Sequence, residues 1–251
     1  MKRSIRLGGA VVLGCLVIAV AILVLSSPVP KTDPRKEGGV VSSAHPLATR
    51  VGLKVLQDGG NAFDAAVAVA AALNVVEPMN SGIGGYGTIL IYDAKKGRVR
   101  FLDSSGKIPL GVDSDAFRPP TPDFLENRRG AKAVSTPGNV NAWRALSSNY
   151  GRMKWAELFT DAIRFAEEGF SIGGGLSRVI SSAFPEMSEE TRSFYGREGR
   201  PLEPGDMLVQ KDLGRSFRLI AGEGPKVVYG GELGMAIHEA MIAGGGFLSI
   251  A

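Results

Sequence analysis

Residues 59–87 read GGNAFDAAVAVAAALNVVEPMNSGIGGYG, and the order of elements in this stretch decides the architecture. Asn61 is a good helix N-cap, and Asp64, three residues on, is the acid of a capping box. From Ala65 to Val76 the segment is small and apolar on nearly every face, which predicts a helix lying inside a layered domain. A glycine-rich loop follows, Gly82-Ile83-Gly84-Gly85-Tyr86-Gly87, and then a strand. Gly82-x-Gly84-x-x-Gly87 matches the dinucleotide fingerprint by letter. That motif works by presenting phosphate to a helix N-terminus after a strand and its glycines. Here the helix comes first and the strand last, which argues against dinucleotide binding. The glycines read instead as a close backbone crossing, or as amides lining a site from the side.

On either side of this stretch the pattern continues in short elements. Val40-Val41-Ser42 is a strand candidate. Pro46 fits the first position of a helix whose apolar face is Ala48, Val51, Gly52, Val55 and Leu56, with Gly59 stopping it. Thr88–Tyr92 and Arg98–Leu102, joined by Asp93-Ala94-Lys95-Lys96-Gly97, predict a β-hairpin, and Asp103–Pro109 (DSSGKIP) a turn after it. Residues 110–130 read as loop. A helix is expected over Asn139–Tyr150. An amphipathic one follows, with Trp155, Leu158, Phe159, Ala162, Ile163 and Ala166 on one face and Gly169 at its end. Phe170 and Ile172 suggest a brief strand, and Ser188–Arg200 a solvated surface. Asp212 can cap a helix running through Ile220, and Leu233–Ala243 predicts another.

The chain has 251 residues, 29 Lys and Arg against 25 Asp and Glu, and a hydrophobic fraction of 44%. This is ordinary globular composition, long enough for one large domain. The net charge of +4 is scattered, with no basic run interleaved with aromatics, so nucleic acid is not an expected partner. One cysteine excludes an internal disulfide.

The first residues differ from the rest. Lys2, Arg3 and Arg6 form a basic flank (residues 1–6) before an apolar segment assigned to residues 7–27. Its uncharged run from Leu7 to Leu25 makes a helix of roughly 28 Å, about the thickness of a bilayer core. It is longer than the usual core of a cleavable signal, which favours a transmembrane signal anchor; Ser26 or Ser27 could still end a signal peptide. The basic flank favours a cytoplasmic N-terminus, with the domain periplasmic or extracellular, or secreted if the segment is cleaved. Cys15 reads as a lipid-facing thiol. Residues 28–38 form a Pro- and charge-rich tether, and residues 39–251 the folded domain.

The chemistry-bearing residues are sparse. There is no Gly-x-Ser-x-Gly elbow. The two histidines, His45 at a helix start and His238 inside a late helix, lie far apart and read as structural, and no metal-ligand cluster occurs. No nucleophile and base pair is evident from the residues alone.

Gly59-Gly60-Asn61-Ala62-Phe63-Asp64-Ala65-Ala66-Val67-Ala68 followed by Ser81-Gly82-Ile83-Gly84-Gly85 resembles the N-terminal signature of γ-glutamyltransferases, which are N-terminal-nucleophile hydrolases. The likeness continues in register through Ser135-Thr136-Pro137-Gly138, Tyr150-Gly151 to Phe170, and Gln210 to Gly231. It implies an α/β (α+β) fold, part of a four-layer αββα sandwich, of which this chain resembles the N-terminal large-subunit portion. It implies further that the catalytic residue is an N-terminal threonine on a small-subunit partner, outside this chain. Such a threonine is both nucleophile and, through its amine, base. The expected reaction is transfer or hydrolysis of γ-glutamyl amides such as glutathione through an acyl-enzyme, with no cofactor and no metal. In the family an arginine of the large subunit, in the turn after the hairpin, holds the substrate carboxylate. That position is Ser105 here, and a neutral hydroxyl does not replace a bidentate guanidinium. Lys107 is the nearby cation that could reach the same carboxylate, and Gly82, Gly84 and Gly85 are expected to shape the site. A Ser-Gly-Lys turn resembles the amidohydrolase and acylase branch, so a substrate other than a γ-glutamyl amide stays open. So does a non-catalytic, membrane-anchored scaffold.

Overall fold

The computed structural model describes residues 39–118 and 124–250. The basic flank, the apolar segment with Cys15 and the tether lie outside the described residues. Among the described residues no helix is long and apolar enough to cross a membrane.

Helix α1 (Pro46–Gln57) begins at Pro46, whose fixed φ suits the first turn, and His45 caps it by accepting the Leu47 amide on Nδ1 at 3.2 Å. Gly59, at φ +93°, takes the chain out of the helix. Helix α2 (Ala62–Val76) carries the capping box: Asn61 Oδ1 accepts the Phe63 and Asp64 amides, and the Asp64 carboxylate accepts the Asn61 amide. Asp64 does more than cap. It is fully buried, and its oxygens also accept the Arg152 and Met153 amides at 3.0–3.3 Å. Asn61 Nδ2 donates to the Tyr150 carbonyl at 2.6 Å, and Phe63 stacks on Tyr150 with ring centroids 4.6 Å apart. The start of α2 is thereby tied to the end of helix α3 (Asn139–Tyr150).

The amphipathic segment after α3 forms as a 3₁₀ turn (Trp155–Phe159) leading into α4 (Thr160–Glu168), rather than as one uninterrupted helix. The expected face is nonetheless the buried one. Phe159 sits at the middle of an aromatic cluster, 4.7 Å from Trp155, 5.9 Å from Phe217 and 6.4 Å from Trp143 between centroids. Trp155 satisfies its indole N–H on the Ile220 carbonyl at 2.7 Å. Strand β3 (Phe170–Ser171) pairs antiparallel with β6 (Met207–Leu208). Between them lie α5 (Gly174–Ala183), α6 (Glu189–Tyr195) and the small hairpin β4 (Gly196–Arg197) to β5 (Arg200–Pro201). Helix α7 (Lys211–Glu223) starts after Gln210, so Asp212 falls in its first turn and is not the cap. The Gln210 side chain is buried and donates to the Val75 carbonyl at the end of α2, 2.9 Å away. A 3₁₀ turn (Pro225–Val227) and α8 (Glu232–Gly244) complete the order.

The main hairpin, β1 (Thr88–Asp93) with β2 (Arg98–Asp103), pairs Leu90 with Phe101 and Tyr92 with Val99. Its inner face, Ile89, Ile91 and Leu102, packs on the core. The outer face is apolar too but uncovered: Leu90 is 75% exposed, and Tyr92 and Phe101 are each 65% exposed.

Two further expectations need correcting. The α2 helix is not enclosed on nearly every side. Ala62 and Ala66 are exposed, Val69, Ala70 and Leu73 are half-buried, and this side faces an open groove. Val40-Val41-Ser42 lines the same groove without forming a strand, because it finds no ladder partner among the described residues. Both follow from one fact: no sheet covers this side of α2 among the described residues. Every strand pair is antiparallel, which makes the described fold α+β.

Candidate functional site

Three segments distant in sequence cross at the C-terminal end of β2. The loop 82–87 turns back with the Gly85 amide on the Gly82 carbonyl, and the Gly85 carbonyl accepts the Gly138 and Asn139 amides, each at 3.0 Å. Asn139 Nδ2 closes the crossing on the Gly82 carbonyl at 3.0 Å. Ser104 bonds Gly87 three times, donating from its amide at 2.9 Å and from Oγ at 2.7 Å to the Gly87 carbonyl and accepting the Gly87 amide on Oγ at 3.1 Å. The Thr136 amide reaches the Lys107 carbonyl at 3.1 Å.

Two glycines are needed for this. A Cβ on Gly85 would sit 2.8 Å from Asn139 Nδ2, and one on Gly138 would collide with the Ser104 carbonyl. Gly82 and Gly84 are different, with nothing within 4 Å of an added Cβ. Of the three loop glycines singled out in the sequence, only Gly85 therefore makes a close crossing.

In front of the crossing lies a cavity of about 340 Å³, walled by Asp103, Ser105, Lys107, Thr136, Asn141 and Tyr229. Ser105 and Lys107 both line this one space. Gly82, Gly84 and Gly85 do not line it; the loop stands behind, holding Gly138. The N-terminus of α3 opens onto the cavity with Gly138 at its cap position and no acidic residue in its first turn. No acidic side chain of its own offsets the positive end of the helix, whose Asn139 and Asn141 amides are taken by the Gly85 carbonyl and the Tyr229 hydroxyl. Lys107 is exposed, and among the described residues it makes no ion pair.

Ser105 is engaged locally. Its hydroxyl and then its amide hold the Asp103 carboxyl below its ordinary value, the amide donating to Asp103 Oδ1 at 2.9 Å. The Ser105 donors are thus directed at a carboxylate of the protein itself. Tyr229 reaches this wall from far along the chain. Its hydroxyl accepts the Asn141 amide at 3.3 Å across 88 residues of sequence, and burial pushes its pKa up. No local motif marks such a residue.

The two histidines occupy unlike settings. His45 caps α1, sits 6.2 Å edge-on from Phe170, and has its pKa lowered by burial. His238, on α8, has an Nδ1 that is buried without a hydrogen-bond partner. Among the described residues, His, Cys, Asp and Glu nowhere gather into a group able to hold a metal ion.

Fold and site define an α+β domain with a cavity at the end of a hairpin that has one uncovered face. Residues 48–251 match the family model described as gamma-glutamyltranspeptidase, and the chain belongs to that family. It is 34% identical over 254 aligned residues to the glutathione hydrolase proenzyme of Bacillus subtilis, covering 94% of this chain and 43% of that protein. With an acylase proenzyme of a Pseudomonas species it shares 36% identity, over 87% of this chain and 40% of the relative. Among solved structures, the γ-glutamyltranspeptidase of Helicobacter pylori superposes with a TM-score of 0.80 at 33% identity, over 85% of this chain and 62% of that one. The chain spans less than half the length of these curated relatives. The N-terminal large-subunit portion implied by the sequence resemblance fits that partial coverage.

Proposed function

We propose that this chain is the large-subunit portion of an amide-cleaving enzyme that hydrolyses or transfers a γ-glutamyl or related acyl group. In this reading the nucleophile is the N-terminal threonine of a small-subunit portion. Its hydroxyl attacks the amide carbonyl, and its own amine, titrating near neutrality, takes the proton. The contribution of the present chain is to hold the substrate. The observation that carries the reading is the cavity in which Lys107 and the N-terminus of α3 face the same space, the Asp103 carboxylate on its wall being held by Ser105. A substrate carboxylate placed there meets a point charge and a helix dipole of matching sign. Ser105 takes a secondary part, since its donors hold Asp103 in place; the carboxylate contact falls to Lys107.

The uncovered surfaces support the same reading. The outer face of the β1–β2 hairpin and the groove along α2 are apolar and open. A second sheet laid against them by the small-subunit portion would complete the four-layer sandwich. Residues 7–27 act as membrane anchor or secretion signal in this proposal, placing the domain outside the cytoplasm.

The protein expressed from its whole locus tests this. Quenched during turnover of a chromogenic γ-glutamyl anilide, it should carry the acyl group on a chain-terminal threonine, visible as a mass increment on that peptide. Turnover without an adduct on any threonine peptide would contradict the mechanism. An acylase acting on a different acyl group is the second reading, favoured by the serine at position 105, where a γ-glutamyl-binding arginine is expected.

A further inference from the structure

One wall of the Lys107 cavity is a single face of α3 and its cap: Gly138, Asn141, Ala142 and Ala145, spaced at i, i+3, i+4 and i+7. Glycine and alanine leave that face bare of hydrogen-bonding side chains except at Asn141. Asn141 is also the only side-chain amide on the cavity wall. It stands in the first turn of the helix, where the Cα–Cβ bond tilts back toward the N-terminus and Gly138.

The position of Asn141 is fixed while its side chain is uncommitted. Its backbone amide donates to the Tyr229 hydroxyl at 3.3 Å, which ties this turn to a residue 88 positions on. The side chain is exposed and makes no hydrogen bond among the described residues, so its NH₂ can turn to a ligand. The donors around it are spent. The Gly138 and Asn139 amides go to the Gly85 carbonyl, Val140 is fully buried, and the Ser105 donors go to Asp103. Lys107 alone is a weak hold on an anion, because an exposed ammonium is screened by water and the Asp103 carboxylate shares its cavity. A substrate carboxylate bound there needs a second donor.

We propose that Asn141 is that donor. Its Nδ2 gives a hydrogen bond to one carboxylate oxygen while the Lys107 ammonium meets the other. Two side chains thereby share what a guanidinium fork does alone, at a site where position 105 carries no arginine. The inference rests on the reading of Lys107 as the carboxylate contact and adds to it the residue that gives the contact its direction.

Steady-state kinetics of the whole-locus protein test this, with a γ-glutamyl anilide and its α-methyl ester, in which the carboxylate is capped. Asn141→Ala should raise KM for the acid about tenfold, the scale of a hydrogen bond to a charged group, with kcat little changed. For the ester the same substitution should move KM less than about threefold, a contrast that a merely structural role would not produce. Asn141→Asp sets a carboxylate against the carboxylate and should raise KM for the acid further. A rise with Lys107→Ala but none with Asn141→Ala would overturn the inference and leave the Lys107 reading in place. Equal losses on acid and ester would also overturn it, by making Asn141 a scaffold residue. Indifference of KM to both substitutions would overturn both readings. A protein that does not turn over the γ-glutamyl anilide is compared, with the same variants, on glutaryl anilide, which keeps that carboxylate without the amine. Inactivity on both anilides would overturn the amide-cleaving reading and this inference with it.

Discussion

Asp64 is the residue whose loss should cost the most for the least change in volume. Its carboxylate is fully buried and accepts three backbone amides, from Asn61, Arg152 and Met153, at 2.9–3.3 Å. Asp64→Ala leaves all three donors without that acceptor. An unsatisfied buried donor costs about 1–3 kcal/mol, and Arg152 is exposed enough for water to reach, so the total should fall at about 3–5 kcal/mol. Asp64→Asn keeps one oxygen but turns an NH₂ toward a cluster of donors, and about 2 kcal/mol is expected. Asn61→Ala, which removes the cap and the bond to the Tyr150 carbonyl but no buried charge, should cost about 1–2 kcal/mol. Urea unfolding followed by the fluorescence of Trp143 and Trp155 reads these differences, since both indoles pack on Phe159 in the same core. The signature is the order, with Asp64→Ala the most damaging, Asp64→Asn next and Asn61→Ala the mildest. An Asp64→Ala variant within about 1 kcal/mol of the parent would refute the view that this carboxylate joins α2 to the end of α3.

Other consequences follow from the same contacts. Gly138→Ala forces a Cβ into the Ser104 carbonyl and should destabilise by about 1–3 kcal/mol, with faster amide exchange at Gly87 and Ser104. Gly82→Ala, with open space around it, should leave both unchanged, and equal effects would refute the crossing. Burial lowers the folded-state pKa of His45 beneath its usual 6.5, so the unfolded chain takes up the proton first. Its contribution is complete above pH 6.5 and fades as pH falls below that value. His45→Asn, which retains a capping oxygen, should flatten the drop in urea midpoint between pH 7.5 and about 5.5. Replacing Leu90 and Phe101 by threonine should cut hydrophobic-dye binding by roughly half and alter stability by under about 1 kcal/mol, because both are mostly exposed.

The local elements were legible because their signals are local. Asn61 with Asp64, Pro46 after His45, and Gly59 at φ +93° each specify a helix end within a few residues. The hairpin was legible for the same reason. What failed depends on partners distant in sequence. Val40–Ser42 has strand composition, but a ladder needs a neighbour, and none is present among the described residues. The α2 helix reads as enclosed because its residues are uniformly small and apolar; the half that stays open is decided by what packs on it. Asp212 looked like a cap, yet the chain starts α7 earlier because Gln210 is committed to the Val75 carbonyl, 135 residues away. At the site, the turn 103–109 placed Ser105 and Lys107 together. The commitment of Ser105 to Asp103, and the arrival of Tyr229, were visible only in three dimensions.

Steady-state hydrolysis of a γ-glutamyl anilide by the whole-locus protein and its Lys107→Ala variant tests the central claim most directly. If Lys107 holds the substrate carboxylate equally in ground and transition states, KM should rise at least tenfold with kcat little changed. An unchanged KM in an active variant would remove Lys107 from the site and contradict the account.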